Sequence, residues 1–257
     1  MTFNVLAVGD VVGNTGLSFL SENLRQIIRR ENIAFTIVNG ENASMNGVTA
    51  AQAEDIFAAG ADVITLGNHT FSRKSILDYL DENRYILRPA NFAPQSPGRG
   101  YGVYETTFGD ICVISLIGRC NMAFGPDNPF LELERILKKV SAPYIFIDFH
   151  AEATSEKLAM CHMADGRITA LFGTHTHVQT SDGCVFPNGT GYISDLGMTG
   201  SALSVIGVKP QLSISSFMGN PPVRYEDAGG SGKMECAVFT VDSNTKKCTS
   251  VRALRLV

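Results

Sequence analysis

Four of the chain's five histidines stand directly after runs of apolar residues, in company that can bind a metal or move a proton. The run LFGTHTH ends on His175 and His177, IFIDFH ends on His150, and VITLGNH ends on Asn68 and His69. Two further runs end on a carboxylate or an amide: LAVGD on Asp10, and TIVNGEN on Glu41 and Asn42. A lone HxH pair is as easily a solvated strand end as a ligand pair. If the strand leading to it continues through His177, the two rings share a face, because residues i and i+2 do. Five endings of this chemistry point to one converging site. Gly9, Gly40 and Gly67 each stand immediately before a candidate, where the absence of a Cβ permits a sharp turn and close backbone approach.

Such convergence needs strands whose carboxyl ends meet, the place where open α/β sheets form their ligand crevice. Short apolar runs at 5–8, 35–38, 63–66, 102–107, 111–117, 144–149 and 168–172 read as strands. Helical spacing marks 16–30, with Leu17, Leu20, Leu24, Ile27 and Ile28 on one stripe, and also 75–81, 131–140 and 155–163. A helix over 49–59 is entered at Thr49, with Gln52 three residues on to complete a capping box. The last third changes character. It has a hairpin around Pro187-Asn188-Gly189, a short helix at 210–217, and closing strands at 234–241 and 250–256. The order predicts one α/β domain over residues 1–257, its early strands parallel through helical crossovers and its later ones antiparallel. The loops 88–100 and 219–233 are not domain linkers, since each leads into strand that needs a sheet to join.

Composition narrows the function. Hydrophobic residues make up 44% and charged residues 18% of the 257, with a formal net charge of −4. That balance disfavours extended DNA or RNA binding and leaves room for a small phosphate ester held locally. The six cysteines include no CxxC pair and read as reduced thiols. No basic leader opens the chain, and no stretch of eighteen apolar residues suggests a membrane span. A cytoplasmic, bacterial-style protein is the expectation. Nothing in the sequence decides whether it forms a homo-oligomer.

The motifs resemble the metallophosphoesterase superfamily, and within it the YmdB-like family of bacterial phosphodiesterases. GDVVG, VNGENA, ADVITLGNHT, RPANF, DNPF, DFHAEATSEK, GTHTHVQTSD, DLGMTG and SVIG carry that resemblance over almost the whole chain. Val12 stands where the superfamily usually has histidine, and GENA supplies Glu41 and Asn42 where it usually offers Asp; both departures match the YmdB-like branch. Phe71-Ser72 and Cys120-Asn121 depart from that branch and bear on substrate preference. The resemblance implies a four-layer α/β/β/α sandwich with mixed sheets. It also implies two divalent or mixed-valence metal ions and hydrolysis of 2′,3′-cyclic nucleotides or related phosphodiesters to nucleoside phosphomonoesters.

In the site so implied, Glu41 bridges the metals, Asp10, Asn42 and His177 hold one, and Asn68, His150 and His175 hold the other; the two late histidines could trade places. Mixed carboxylate, amide and imidazole donors suit Fe or Mn, with Zn also open, better than Ca, which takes oxygen shells. Two ions about 3.5–4 Å apart lower the pKa of a bridging water, and His69 is the candidate general acid for the departing ribose oxygen. Asn42 reads equally as a turn residue orienting Glu41, and His69 also as a clamp on phosphate. Asp148 and Asp195 are candidates to orient ligands, with a buried turn role open for each. His162 reads as a solvated or C-terminal capping residue, Glu152 and Glu156 as helix-start carboxylates, and Arg73, Lys74 and Arg119 as a solvated face, with a part in holding substrate as the other reading. Two other readings stand beside the phosphodiesterase. One is a metal-dependent amidohydrolase, although that class places HxH early. The other is a metal-stabilised regulatory scaffold binding a nucleotide or a protein partner.

Overall fold

Successive residues along the buried strands serve different cores. In β1 (Thr2–Val8), Val5 and Ala7 pack into one apolar cluster and Leu6 and Val8 into another. In β7 (Ile111–Ile117) and β8 (Tyr144–His150), Val113 and Phe146 join the first of those clusters, while Ile114 and Ile147 join a third. Period-two alternation on strands buried on both faces requires a layer on each side. The computed structural model describes residues 1–122 and 125–257 and has that architecture, two sheets face to face with helices outside each.

The first sheet gathers both ends of the chain. β1, β3 (Ile33–Asn39), β4 (Val63–Thr65) and β5 (Ile86–Leu87) run parallel in that order. The crossovers are α1 (Gly13–Arg30), α2 (Ala50–Ala59), and a 3-10 turn at Lys74–Ile76 leading into α3 (Leu77–Glu82). The long β13 (Gly232–Asp242) pairs antiparallel with β1, with β12 (Met198–Ser201) and with β14 (Cys248–Leu256), and the two-residue β2 (Asp10–Val11) pairs with β12. In the second sheet β7, β8, β9 (Ala170–Thr174) and β11 (Gly191–Ile193) are parallel, edged antiparallel by β6 (Tyr101–Tyr104) and β10 (Cys184–Val185). Its outer face carries α4 (Pro129–Leu137) and α5 (Thr154–Ala164). The four-layer α/β/β/α expectation holds. The early strands of the first sheet are parallel and the closing β13 and β14 antiparallel, as expected, and parallel pairing extends into the centre of the second sheet.

Local signals behave as the residue types require. Thr49 caps α2, its hydroxyl accepting from Gln52 N at 3.2 Å while Gln52 Oε1 accepts from Thr49 N at 3.1 Å. The turn at Pro187–Gly189 joins β10 to β11, as expected. α4 begins at Pro129 under an Asn128 cap rather than at Leu131; proline at the first helical position gives up no needed hydrogen bond. Two long loops are tied down by hydrogen bonds. Buried Arg88 donates to the carbonyls of Pro89 and Pro97 at 2.8 and 3.2 Å. Asp227 accepts from Thr15 N at 2.8 Å near the start of α1. All six cysteines are free.

Candidate metal centre

The carboxyl ends of β1, β3, β4, β8 and β9 bring the seven ligand candidates and His69 into one contiguous cluster. On β8, His150 and Asp148 share parity with Tyr144 and Phe146, so both face the space between the sheets. His150 is fully buried, and its Nε2 lies 3.0 Å from Glu41 Oε1, 2.9 Å from Asn68 Oδ1 and 3.0 Å from His175 Nδ1. Asp10 is fully buried too, with His177 Nε2 3.6 Å from its Oδ1 and His175 N donating to its Oδ2 at 3.2 Å. Asn42 joins the halves: its Nδ2 lies 3.4 Å from Asp10 Oδ1, 3.3 Å from Glu41 Oε1 and 3.2 Å from His177 Nε2. His69 is held twice, its N donating to Glu41 Oε2 at 3.2 Å and its Nε2 lying 3.0 Å from Asn68 Nδ2. Gly67 is required by proximity, since a Cβ there would stand 2.3 Å from Glu41 Oε2 and 2.4 Å from His150 Cδ2.

The two late histidines do not share a strand face. β9 stops at Thr174, and His175 and His177 adopt φ of +101° and +63°, the left-handed region that costs an L-residue roughly 1–2 kcal/mol. The rings part, His175 toward His150 and His177 toward Asp10. What holds the strained turn is buried polar structure behind it. Asp195 Oδ2 accepts from Thr176 N at 3.2 Å, and Lys157, fully buried on α5, donates to Asp195 Oδ2 at 2.9 Å and to Thr174 O at 3.0 Å. Lys157 closes the motif DFHAEATSEK, but its residue type alone assigned it no role; its burial on the inner side of α5 does. Asp148 reaches His150 through a hydroxyl, Thr174 Oγ1 standing 2.7 Å from Asp148 Oδ1 and 2.9 Å from His150 Nδ1.

The remaining candidates separate. His162 is exposed in the last turn of α5, its ring against Phe186. Glu156 accepts from Arg119 N and Cys120 N at 3.0 and 3.3 Å and so pins the loop after β7. Glu152 precedes α5 and is not part of its first turn; its Oε2 lies 3.4 Å from His175 Nε2. Arg73 is only half-buried and donates to Ser44 O at 2.8 Å, with its Nε buried and unpartnered among the described residues. It shares a cavity with His69, a placement that a merely solvated face does not describe.

Burial and mutual charge perturb Asp10, His150, His175 and His69 within the cluster. Burial opposes ionisation of Asp10, but the hydrogen bond and charge of His177, with His150 behind it, hold the carboxyl well below its usual range. Burial likewise opposes charge on His150, yet Glu41 beside it, then Asp10 and Asp148, push the ring up to about 9. His175 is driven down to about 4 by burial and by the charge of His150. Burial also lowers His69, against Glu41. Three acceptors converge on His150 Nε2, which has one proton at most to share. Lone pairs crowded in this way fit a cation among them, and Glu41, His150 and His175 each offer a ligand atom within 4.8 Å of the others.

A model of the family described as YmdB-like protein matches residues 6–254. The chain is 41% identical over 255 residues to the 2′,3′-cyclic-nucleotide 2′-phosphodiesterase of Bacillus subtilis, covering 97% of this chain and 96% of that one. A crystal structure of a phosphatase from Mycoplasma pneumoniae superposes with a TM-score of 0.95 at 34% identity, over 100% of this chain and 94% of that one. A structure of a hypothetical protein from Thermus thermophilus superposes at 0.91 with 33% identity, over 99% of both chains. These relatives include enzymes that hydrolyse phosphoric esters.

Proposed function

Because the chain belongs to the YmdB-like protein family, we propose that it is a phosphodiesterase that opens 2′,3′-cyclic nucleotides at a two-metal centre, leaving nucleoside phosphomonoesters. The observation that carries this reading is the crowding at His150 Nε2, where a carboxylate, an amide oxygen and an imidazole all lie within 3.0 Å of one nitrogen. Glu41 stands between the two halves, its Oε1 near both His150 and Asn42, and would be shared. Asp10, Asn42 and His177 would hold one ion, and Asn68, His150 and His175 the other. Asn42 can present either end of its amide; ligation calls for the oxygen. Ions of the Fe, Mn or Zn kind, bound there, supply Lewis acidity toward water and the phosphoryl oxygens.

The protein's own part is position and protons. Water attacks phosphorus in line and gives up one proton to solvent, the bond from phosphorus to one ribose oxygen breaks, and that oxygen takes up a proton. His69 would give it. Its main-chain N–H is tied to Glu41 and its ring to Asn68, and it opens onto the cavity holding Arg73 and Arg224. The negative charge of a bound phosphate adds to that of Glu41 and Asp10 in favouring the protonated ring. The test is hydrolysis of 2′,3′-cyclic AMP by purified protein with metal quantified, beside Glu41→Gln. Turnover at close to two metals per chain, reduced at least about 100-fold in the variant, is expected, since that change removes a fixed charge and leaves one amide oxygen where a carboxylate would be shared. Full metal occupancy without turnover would instead support the regulatory scaffold.

A further inference from the structure

Asn68, whose Oδ1 faces His150, also walls a cavity of about 530 Å³ formed by Phe71, Phe92, Pro94, Pro126 and Asp127 among others. The volume lies in the ordinary range for small-molecule clefts, roughly 300–1,000 Å³. Its aromatic wall is two rings with centroids 5.6 Å apart and planes tilted by 39°, and Phe71 keeps 39% of its surface exposed. A second cavity, of about 930 Å³, borders the centre at His69 and contains Arg73 and Arg224. One cleft has an aromatic wall, and the other is lined by two arginines. A nucleotide has one part suited to each.

We propose that the aromatic cavity is the subsite for the substrate's nucleobase, with Phe71 as the stacking face and the Asp127 carboxylate reading an amino group on the base edge. The inference rests on the phosphodiesterase reading for the identity of the ligand. The subsite is held in place by one buried side chain. Asn91 donates from Nδ2 to Ile117 O at 2.8 Å and to Asp127 O at 2.9 Å, and its Oδ1 accepts from Ile117 N at 2.9 Å. Its own carbonyl accepts from Asp127 N at 2.9 Å. That amide fastens the end of β7 to Asp127 and sets Phe92, the next residue, against the cavity. The Asp127 side chain accepts no hydrogen bond and meets no cation among the described residues. An ionised carboxylate is an acceptor only. Adenine, cytosine and guanine offer it an amino group, whereas uracil presents carbonyl oxygens on both sides of its one N–H. The site therefore favours amino-bearing bases over uracil.

The experiment measures binding and turnover separately on the metal-loaded protein. Calorimetry compares adenosine 3′-monophosphate with the 3-phosphate of methyl riboside, which carries a methoxy group in place of the base. In Phe71→Ala the first dissociation constant is expected to rise about tenfold, the lower part of the range for one base–aromatic stack, while the second stays within about twofold. Asp127→Asn is expected to cut a roughly tenfold preference for cytidine over uridine monophosphate, the scale of a charge-assisted hydrogen bond, to about twofold. Equal losses for the ligands with and without a base, or no loss in either variant, overturn the subsite. Turnover of 2′,3′-cyclic AMP is read in parallel. Base-dependent binding without hydrolysis leaves the subsite standing and removes the catalytic reading, whereas hydrolysis with base-independent binding does the opposite.

Discussion

Replacing Lys157 with methionine removes a buried charge from behind the histidine turn. Its Nζ lies 2.9 Å from Asp195 Oδ2 and 3.0 Å from Thr174 O, and both side chains of the ion pair are essentially inaccessible. Without the lysine, Asp195 keeps donors from Thr176 N and Gly197 N at 3.2 and 2.9 Å but loses its counter-charge. Breaking a buried pair from one side costs about 3–5 kcal/mol, a fifth or more of the stability of an ordinary domain, roughly 5–15 kcal/mol. The loss should depend on pH in a definite direction. Burial already raises the pKa of Asp195 against the pull of Lys157, and removing the lysine raises it further. The folded state then binds a proton that the unfolded state releases, so stability falls as pH rises through the raised folded value. Guanidinium unfolding of chelator-treated protein at pH 5 and pH 8 measures both effects. The deficit of Lys157→Met should be larger at pH 8, and Lys157→Met combined with Asp195→Asn should recover part of it. A deficit under about 1 kcal/mol at pH 8, or one that grows toward pH 5, would refute the role assigned to the pair.

Two other outcomes follow from the same geometry. In Thr174→Val the hydroxyl between Asp148 and His150 is lost; metal affinity should fall about 10–100-fold with only about 1–3 kcal/mol of stability, and unchanged affinity by competition with a chelator would contradict the link. Metal uptake at pH 7 should expel a proton from His150, because Glu41 raises the ring to about 9 in the metal-free protein and a ligating imidazole must be neutral. Calorimetry in buffers of differing ionisation enthalpy reads about one proton from this ring, declining as pH passes 9; heats independent of buffer would show that the ring starts neutral.

The candidate ligands stand at the ends of strands, and there the sequence alone was enough to foresee that they would cluster. Asp10, Glu41, Asn42, Asn68, His69, His150, His175 and His177 each follow a buried run, and a chain whose parallel strands end on one edge has to bring such residues together. Helix α2 was equally legible, because the capping box of Thr49 and Gln52 is a local interaction among neighbouring residues. Long-range pairing hid the rest. β2 and β12 are too short to show periodicity and exist because Asp10 and Val11 pair with Met198 and Thr199. The turn that sends His175 and His177 to different partners depends on Asp195 and Lys157 from other elements, which can hold left-handed backbone that local preference would refuse. The aromatic cavity is likewise tertiary. Phe71 and Phe92 lie on separate loops, and only the packing of α3 and β5 between them in the chain, with Asn91 fastened to β7, brings their rings together beside the candidate centre.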